Sequence, residues 1–268
     1  MGRTAEALPD PLVEALAALS TVSSVLVVVD FDGVMAPIRA DRSAVRPLVA
    51  NQRALQSLAG VEGVSVALLS GRTLAELREI SQEPTGVILV GSHGSEVAGA
   101  RLALTHEEEI LRQQAIVALQ SIARDRPGVE VEEKPVGAAL HTRRARRDVA
   151  LHATSDATLA ATRLRGTHLL VGKEVVEILV SHVTKGDGLN RLRAQIQPEV
   201  TVYLGDDKTD EDAFAVMRPS DISVKVGEGP THARFRIDRP ATVAAVLTAI
   251  RAGRGRARRR DPDTSVAG

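Results

Sequence analysis

At 268 residues, with 44% hydrophobic and 25% charged side chains, the chain has the size and balance of one large or two modest folded domains. That balance excludes wholesale disorder, collagen-like repeats and coiled-coil rods. Aromatic residues make up only 1%, which removes base-stacking platforms for nucleic acid, and the lack of cysteine removes disulfides, thiolate catalysis and thiolate metal sites.

Net charge is zero, but residues 251–268 hold six Arg and two Asp, so the rest of the chain is mildly acidic. No apolar run approaches the roughly 20 residues that span a bilayer. The first twenty residues carry acids and prolines where a signal peptide needs an unbroken apolar stretch. The expectation is a cytoplasmic location, with no membrane and no nucleic-acid partner, and a solvated, disordered tail over 251–268.

A helical apolar rhythm over 11–19 leads into VLVVVD (25–30), a β-branched run that ends in acid and glycine, as a strand buried on both faces of a parallel sheet does. Helical RPLVANQRALQSLAG, strand VSVALLS (64–70), helical TLAELREISQ and strand GVILVG (86–91) follow. Core-type strands resume at VTVYLG (200–205) and ISVKVG (222–227). Strand, helix and strand at short spacing predict an α/β doubly wound parallel-sheet core.

Between them the rhythm changes. A short strand at RLAL, a helix over 107–125, strands around VEVEEK and GAALHTR, a helix over 145–164, then HLLVGK and VVEILVS read as an α+β unit with an antiparallel sheet. The expected domains are therefore a discontinuous core over 1–96 and 183–250 and an inserted smaller unit over 97–182.

Ligands of open α/β sheets bind beyond the carboxyl ends of the strands, and polar residues follow each core run. Asp30 and Asp32 stand in DFDG after the first strand, Ser70 in SGR after the second, and Asp206, Asp207 and Asp210 in GDDKTD after the strand at 200. Lys185 opens the preceding helix in TKGDGL. Taken singly, DxDG is a turn signature; three such segments in this order, each at a strand end, with a lysine interposed at a helix start, point to a site. Carboxylates gathered at one sheet edge repel one another unless a cation lies between them, and Mg2+ suits oxygen ligands beside a phosphate. Two acids two residues apart can divide the work, one attacking and one handling the leaving-group proton.

These segments, DFDGVM, LSGR, TKG and GDDKTDED, resemble the four motifs of the haloacid-dehalogenase (HAD) superfamily of phosphohydrolases. Pro37 and Ile38, GSHGSE (91–96), EEKPVGAALHTR (132–143), GKEVVEI (172–178), GDDKTDEDAF (205–214) and VKVGEGPTHARFRI (224–237) resemble trehalose-6-phosphate phosphatases within it. The resemblance covers roughly residues 22–250. It departs from the usual pattern at Val34, where threonine is commoner, and at Met35; neither removes a catalytic group.

The resemblance implies a HAD-like core whose inserted α/β cap, between the second and third motifs, chooses the substrate. It implies a Mg2+-dependent phosphatase that hydrolyses trehalose 6-phosphate through an aspartyl-phosphate, the last step of trehalose biosynthesis. Asp30 would be the nucleophile and Asp32 the general acid and base. Asp30, Asp32 (through its carbonyl), Asp206 and Asp207 would hold the metal, with Asp210 orienting. Ser70 and Lys185 would hold the phosphoryl oxygens. Gly33, Gly71 and Arg72 complete the expected substrate-binding set on the core, Arg72 being equally suited to pairing with a nearby acid.

On the inserted unit the resemblance points to Lys173 and Glu177 with Glu96, and to Lys134, His141 and Arg143; a cross-strand surface pair is the alternative for Lys173 and Glu177. His93 is expected to shape a turn. His106, His152, His168, His182 and His232 lack metal-ligand spacing, which argues against zinc. The resemblance also implies a small-molecule sugar phosphate as ligand and a trehalose-6-phosphate synthase as pathway partner. Another sugar phosphate (sucrose 6-phosphate or the mannosyl-3-phosphoglycerate type), a phosphomutase reaction and a silent sugar-phosphate sensor are the competing readings. A sensor would usually have lost Asp30 or Asp32.

Overall fold

A computed structural model describes residues 7–39, 41–42, 44–97, 100–101, 104–181 and 183–257. His182 and the end of the Arg-rich segment from residue 258 lie outside them. The described residues form two compact units, one up to Gly94 and resumed from Thr184, the other Ser95–Val183. The inserted unit thus takes slightly more chain than the 97–182 read from the sequence.

The first unit contains α1 (Asp10–Ala18), β1 (Val25–Val29), α2 (Val49–Ala59), β2 (Val64–Leu69), α3 (Leu74–Ser81) and β3 (Val87–Gly91). The inserted unit contains β4 (Glu96–Val97), β5 (Ala100–Arg101), α4 (His106–Ala123), β6 (Glu130–Lys134), β7 (Gly137–His141), α5 (Arg147–Arg163), β8 (His168–Gly172) and β9 (Val175–Leu179). The first unit then resumes with α6 (Lys185–Ile196), β10 (Val200–Gly205), α7 (Lys208–Ala215), β11 (Ile222–Val226), β12 (Phe235–Ile237) and α8 (Val243–Ala257).

Its strands run parallel in the order β12-β11-β10-β1-β2-β3, with Val25 level with both Val200 and Val64. All five β1 residues are buried, because helices cover both faces of a doubly wound sheet and leave no room for polar side chains. Burial of a valine on this scale is worth about 1.5–3 kcal/mol. Val27 and Val29 join Leu12, Leu16, Leu55, Leu58, Val246, Leu247 and Ile250 in one apolar cluster.

That cluster corrects the expected tail. Val243, Val246, Leu247 and Ile250 recur at helical spacing and anchor α8, which continues through Ala257, so the tail does not begin at 251. Buried Arg254 on α8 donates to the main-chain carbonyls of Leu19, Val22 and Ser23.

In the inserted unit, β6-β7-β9-β8 form an antiparallel sheet. Ala138, Leu140, Val176 and Ile178 pack on Ala115, Leu119, Ala153 and Ala157 of α4 and α5. β4 and β5 form a short hairpin pairing Glu96 with Arg101; of the short strand expected at RLAL, Leu102 and Ala103 lie outside the described residues. No helix among the described residues is long and apolar enough to cross a membrane.

Candidate active site

Because β10, β1 and β2 are parallel neighbours, the residues that leave their carboxyl ends arrive at one edge. Asp30 follows β1 and donates its N–H to Leu204 of β10 at 2.9 Å; Ser70 follows β2 and donates its N–H to Val90 at 3.0 Å. Lys185 is the first residue of α6, whose start is fixed by a reciprocal cap between Thr184 and Asp187.

Lys185 is 2% exposed, and its Nζ lies 2.9 Å from Asp30 Oδ1 and 2.8 Å from Asp210 Oδ1. Burial works to lower its pKa, yet Asp210 and Asp30 lift it well above the ordinary lysine value. Asp210 is the hub. One oxygen accepts from Lys185 and from the Tyr203 hydroxyl at 2.7 Å, and the other from the N–H groups of Asp206 and Asp207 at 2.9 and 3.0 Å.

Oxygen atoms of Asp30, Asp206 and Asp210 all lie within 4.8 Å of one another. Burial, followed by the neighbouring acids, pushes Asp206 up to about 7, and burial also raises Asp30 well above the carboxylate range. Asp206 Oδ1 is buried with no hydrogen-bond partner among the described residues. An orphaned oxygen amid acids that resist ionisation fits a hard divalent cation, which would supply the missing positive charge.

Asp207 stands apart from this group. Its Oδ1 caps α7 by accepting from Thr209 and Asp210 N–H groups. Burial opposes ionisation there, but Lys185 and the Thr209 hydrogen bonds hold Asp207 down at about 2.

These values set a pH dependence. Without a cation, folded Asp206 and Asp30 keep protons that the unfolded chain sheds near pH 4, so stability falls as pH rises from about 4 towards 7. Asp207 acts in the opposite sense only below about pH 4. Thermal melts in EDTA are expected to give a lower Tm at pH 7.5 than at pH 5, with Mg2+ raising the pH 7.5 value. A Tm indifferent to both would contradict the acidic cluster.

The DFDG turn is built to approach the acids. Gly33 has φ +86°, and a Cβ there would collide with the Asp206 carboxylate, so only glycine fits. Gly33 N–H donates to Ala36 at 2.8 Å, and the buried Asn51 amide donates to the Val34, Met35 and Pro240 carbonyls. Val34 and Met35 are thus core residues of this turn, both buried.

Asp32, with 35% of its side chain exposed, is gripped by two parallel bonds from Arg72, Nε to Oδ2 at 2.6 Å and Nη2 to Oδ1 at 2.7 Å. Arg72 also donates to the Arg42 carbonyl at 3.1 Å. Of the two uses open to Arg72, the geometry takes the pairing one. Ser70 Oγ accepts from Arg72 N–H at 3.2 Å.

Behind this loop, Ser92 and His93 adopt positive φ of 46° and 57°. Their N–H groups donate to the Arg72 and Ser70 carbonyls at 2.7 and 3.0 Å, and a Cβ on Gly71 would meet the His93 ring at 2.6 Å. His93 shapes a turn, and that turn supports the Ser70–Arg72 loop.

On the inserted unit, the register places Glu132, Ala139 and Glu177 in one row across β6, β7 and β9, with Lys134 and His141 on the same face. Small Ala139 lets side chains meet above it: Lys134 Nζ lies 2.5 Å from Glu177 Oε1, and His141 Nε2 lies 2.8 Å from Glu132 Oε2. Glu96 is buried on β4.

Lys173 is exposed in the β8–β9 turn, and Glu177 pairs with Lys134, so the alternative of a Lys173–Glu177 surface pair is corrected. A turn at Glu174 with φ 63° carries Lys173 away from the β9 row. Arg143 pairs with Glu174 at 2.9 Å. Tyr203, Asn51 and Glu132 escape the sequence reading. The single tyrosine of the chain, two residues before GDD, and a glutamate two before Lys134 on a strand were the available signals.

The trehalose-phosphatase family model matches residues 28–241. The chain belongs to the trehalose-phosphatase family. Among curated relatives, the trehalose-phosphate phosphatase of Mycobacterium marinum is 36% identical over 244 residues, covering 84% of this chain and 60% of the relative. The chain therefore spans about three fifths of that relative's length. Among solved structures, the C-terminal domain of the C. albicans trehalose-6-phosphate phosphatase superposes with TM-score 0.73 at 22% identity, covering 93% of this chain and 99% of that one. A haloacid dehalogenase-like hydrolase from Bacteroides thetaiotaomicron gives TM-score 0.61 at 13% identity over 85% and 99% of the two chains. This trehalose-phosphatase family member thus has the HAD fold.

Proposed function

We propose that the chain is a Mg2+-dependent phosphatase that converts trehalose 6-phosphate and water into trehalose and inorganic phosphate. The observation that carries this reading is Asp30, buried against Lys185 at 2.9 Å, with Asp32 two residues on and held by Arg72. An Asp30 oxygen attacks phosphorus; the bond to the sugar oxygen breaks, and Asp32 gives that oxygen its proton. Water then attacks the aspartyl-phosphate, Asp32 takes the water proton, and phosphate leaves with Asp30 restored.

Lys185 and Ser70 would hold the phosphoryl oxygens. Asp30 and Asp206 are the side chains that would hold Mg2+, with Asp210, both of whose oxygens already accept hydrogen bonds, orienting them; the ion would supply positive charge against the phosphoryl oxygens and keep Asp30 ionised at neutral pH. Arg72 keeps Asp32 in one orientation.

Family membership supports trehalose 6-phosphate as the substrate. Lys134, Glu132, Glu177 and His141 present alternating donors and acceptors on one sheet face, chemistry suited to sugar hydroxyls. A silent sensor is disfavoured because Asp30 and Asp32 are both in place. The test is incubation with trehalose 6-phosphate and Mg2+: trehalose and phosphate should appear in equal amounts, and EDTA should stop both. Binding without product would contradict the proposal.

A further inference from the structure

Lys225 on β11 is a buried cation that the reading above leaves unused. It is 4% exposed and level with Gly205, the last residue of β10. Its Nζ donates to the main-chain carbonyl of Asp206 and lies 3.9 Å from Glu211 Oε1. Glu211, on α7, in turn accepts from the His232 N–H at 2.7 Å and meets its Nδ1 at 3.1 Å.

The peptide joining Asp206 to Asp207 is consequently held at both ends by charged side chains: its C=O by Lys225, its N–H by Asp210 at 3.0 Å. The preceding N–H, of Asp206 itself, also goes to Asp210. With the backbone fixed on both sides, the Asp206 carboxylate is directed at Gly33 and the acidic group. Burying a lysine is costly unless its charge is used, and here it fixes the member of the acidic group whose Oδ1 has no hydrogen-bond partner among the described residues.

We infer that Lys225 is a positioning residue for the cation site, setting the Asp206 carboxylate for a divalent metal from outside the ligand set. This rests on the proposed use of Mg2+. Tyr203, the only tyrosine in a chain without tryptophan, has its hydroxyl on Asp210 and makes occupancy readable without substrate: Tb3+ bound at the acids should luminesce on tyrosine excitation.

Outer partners of metal ligands typically contribute about 10–100-fold in affinity. Lys225→Met should therefore weaken Tb3+ binding by about 10-fold or more, with Lys225→Arg recovering part of the loss. The Mg2+ concentration for half-maximal phosphate release should rise in parallel, while KM for the sugar phosphate and the rate at saturating Mg2+ stay near wild type. Should the methionine variant fail to fold, Lys225→Gln takes its place in the same comparison.

Wild-type Tb3+ affinity in a folded variant would overturn the inference. So would a lowered Tm with a raised KM and weakened metal binding together, which marks a purely structural role. Absence of Tb3+ luminescence from the wild-type protein would overturn the cation reading itself, a result distinct from a failure confined to the variants.

Discussion

Asp30→Asn is expected to lower phosphate release from trehalose 6-phosphate by at least about 10^4-fold, the order found when a nucleophile is removed from a cooperating set, and to leave the protein folded. An amide has the shape of the carboxylate but no oxygen able to attack phosphorus. The fold should tolerate it because Asp30 is only 3% exposed and burial already disfavours its charged form. A carboxylate whose folded pKa is raised weakens the fold at pH values above its ordinary range, so an uncharged side chain relieves that cost. In EDTA at pH 7.5 the variant should melt no lower than wild type. Phosphate release within tenfold of wild type would remove Asp30 from the nucleophile's role.

Lys185→Met is expected to do the reverse, harming fold and chemistry together. Its Nζ is the shared partner of Asp30 at 2.9 Å and Asp210 at 2.8 Å, with Asp206 and Asp207 close by. Removing one member of a buried ion pair costs about 3–5 kcal/mol, because the charges left behind have neither water nor a partner. The raised pKa of Lys185 means that the lysine itself stays charged up to about pH 10, so at lower pH its contribution varies only with the charge of its partners. The deficit should therefore be large at pH 7.5 and shrink towards pH 5, where Asp30 and Asp206 take up protons in the folded state. Urea melts of both proteins at the two pH values check this. A deficit below about 1 kcal/mol at pH 7.5 would mean that the charges are relieved elsewhere.

Much of this was legible because parallel strands buried on both faces announce themselves as β-branched runs, as VLVVV of β1 does. The residue after each run then locates Asp30, Ser70 and Asp206. What remained hidden has physical causes. α7 begins with the polar KTDED, whose helicity comes from the Asp207 cap and not from an apolar stripe. The Arg-rich composition from 251 masked the last turns of α8, whose hold on the core comes from residues further back.

Pairings also depend on register that spacing cannot reveal. Lys134 and Glu177 are 43 residues apart yet meet above Ala139, whereas Lys173 and Glu177, four apart, are separated by the turn at Glu174. Tyr203 and Lys225 sit inside strands that otherwise read as core, and only the three-dimensional arrangement aims them at Asp210 and Asp206.

The proposed activity is hydrolysis of a sugar phosphate ester, with the polar face around Lys134 and Glu177 proposed to recognise the sugar. The most direct test is kcat/KM with saturating Mg2+ for trehalose 6-phosphate beside glucose 6-phosphate, sucrose 6-phosphate, a mannosyl-3-phosphoglycerate and para-nitrophenyl phosphate. The account predicts a preference for trehalose 6-phosphate of on the order of 100-fold or more, since a site built to hydrogen-bond hydroxyls strongly rejects ligands that leave its buried polar groups unpaired. Comparable values across the panel, or a clear preference for another sugar phosphate, would contradict it.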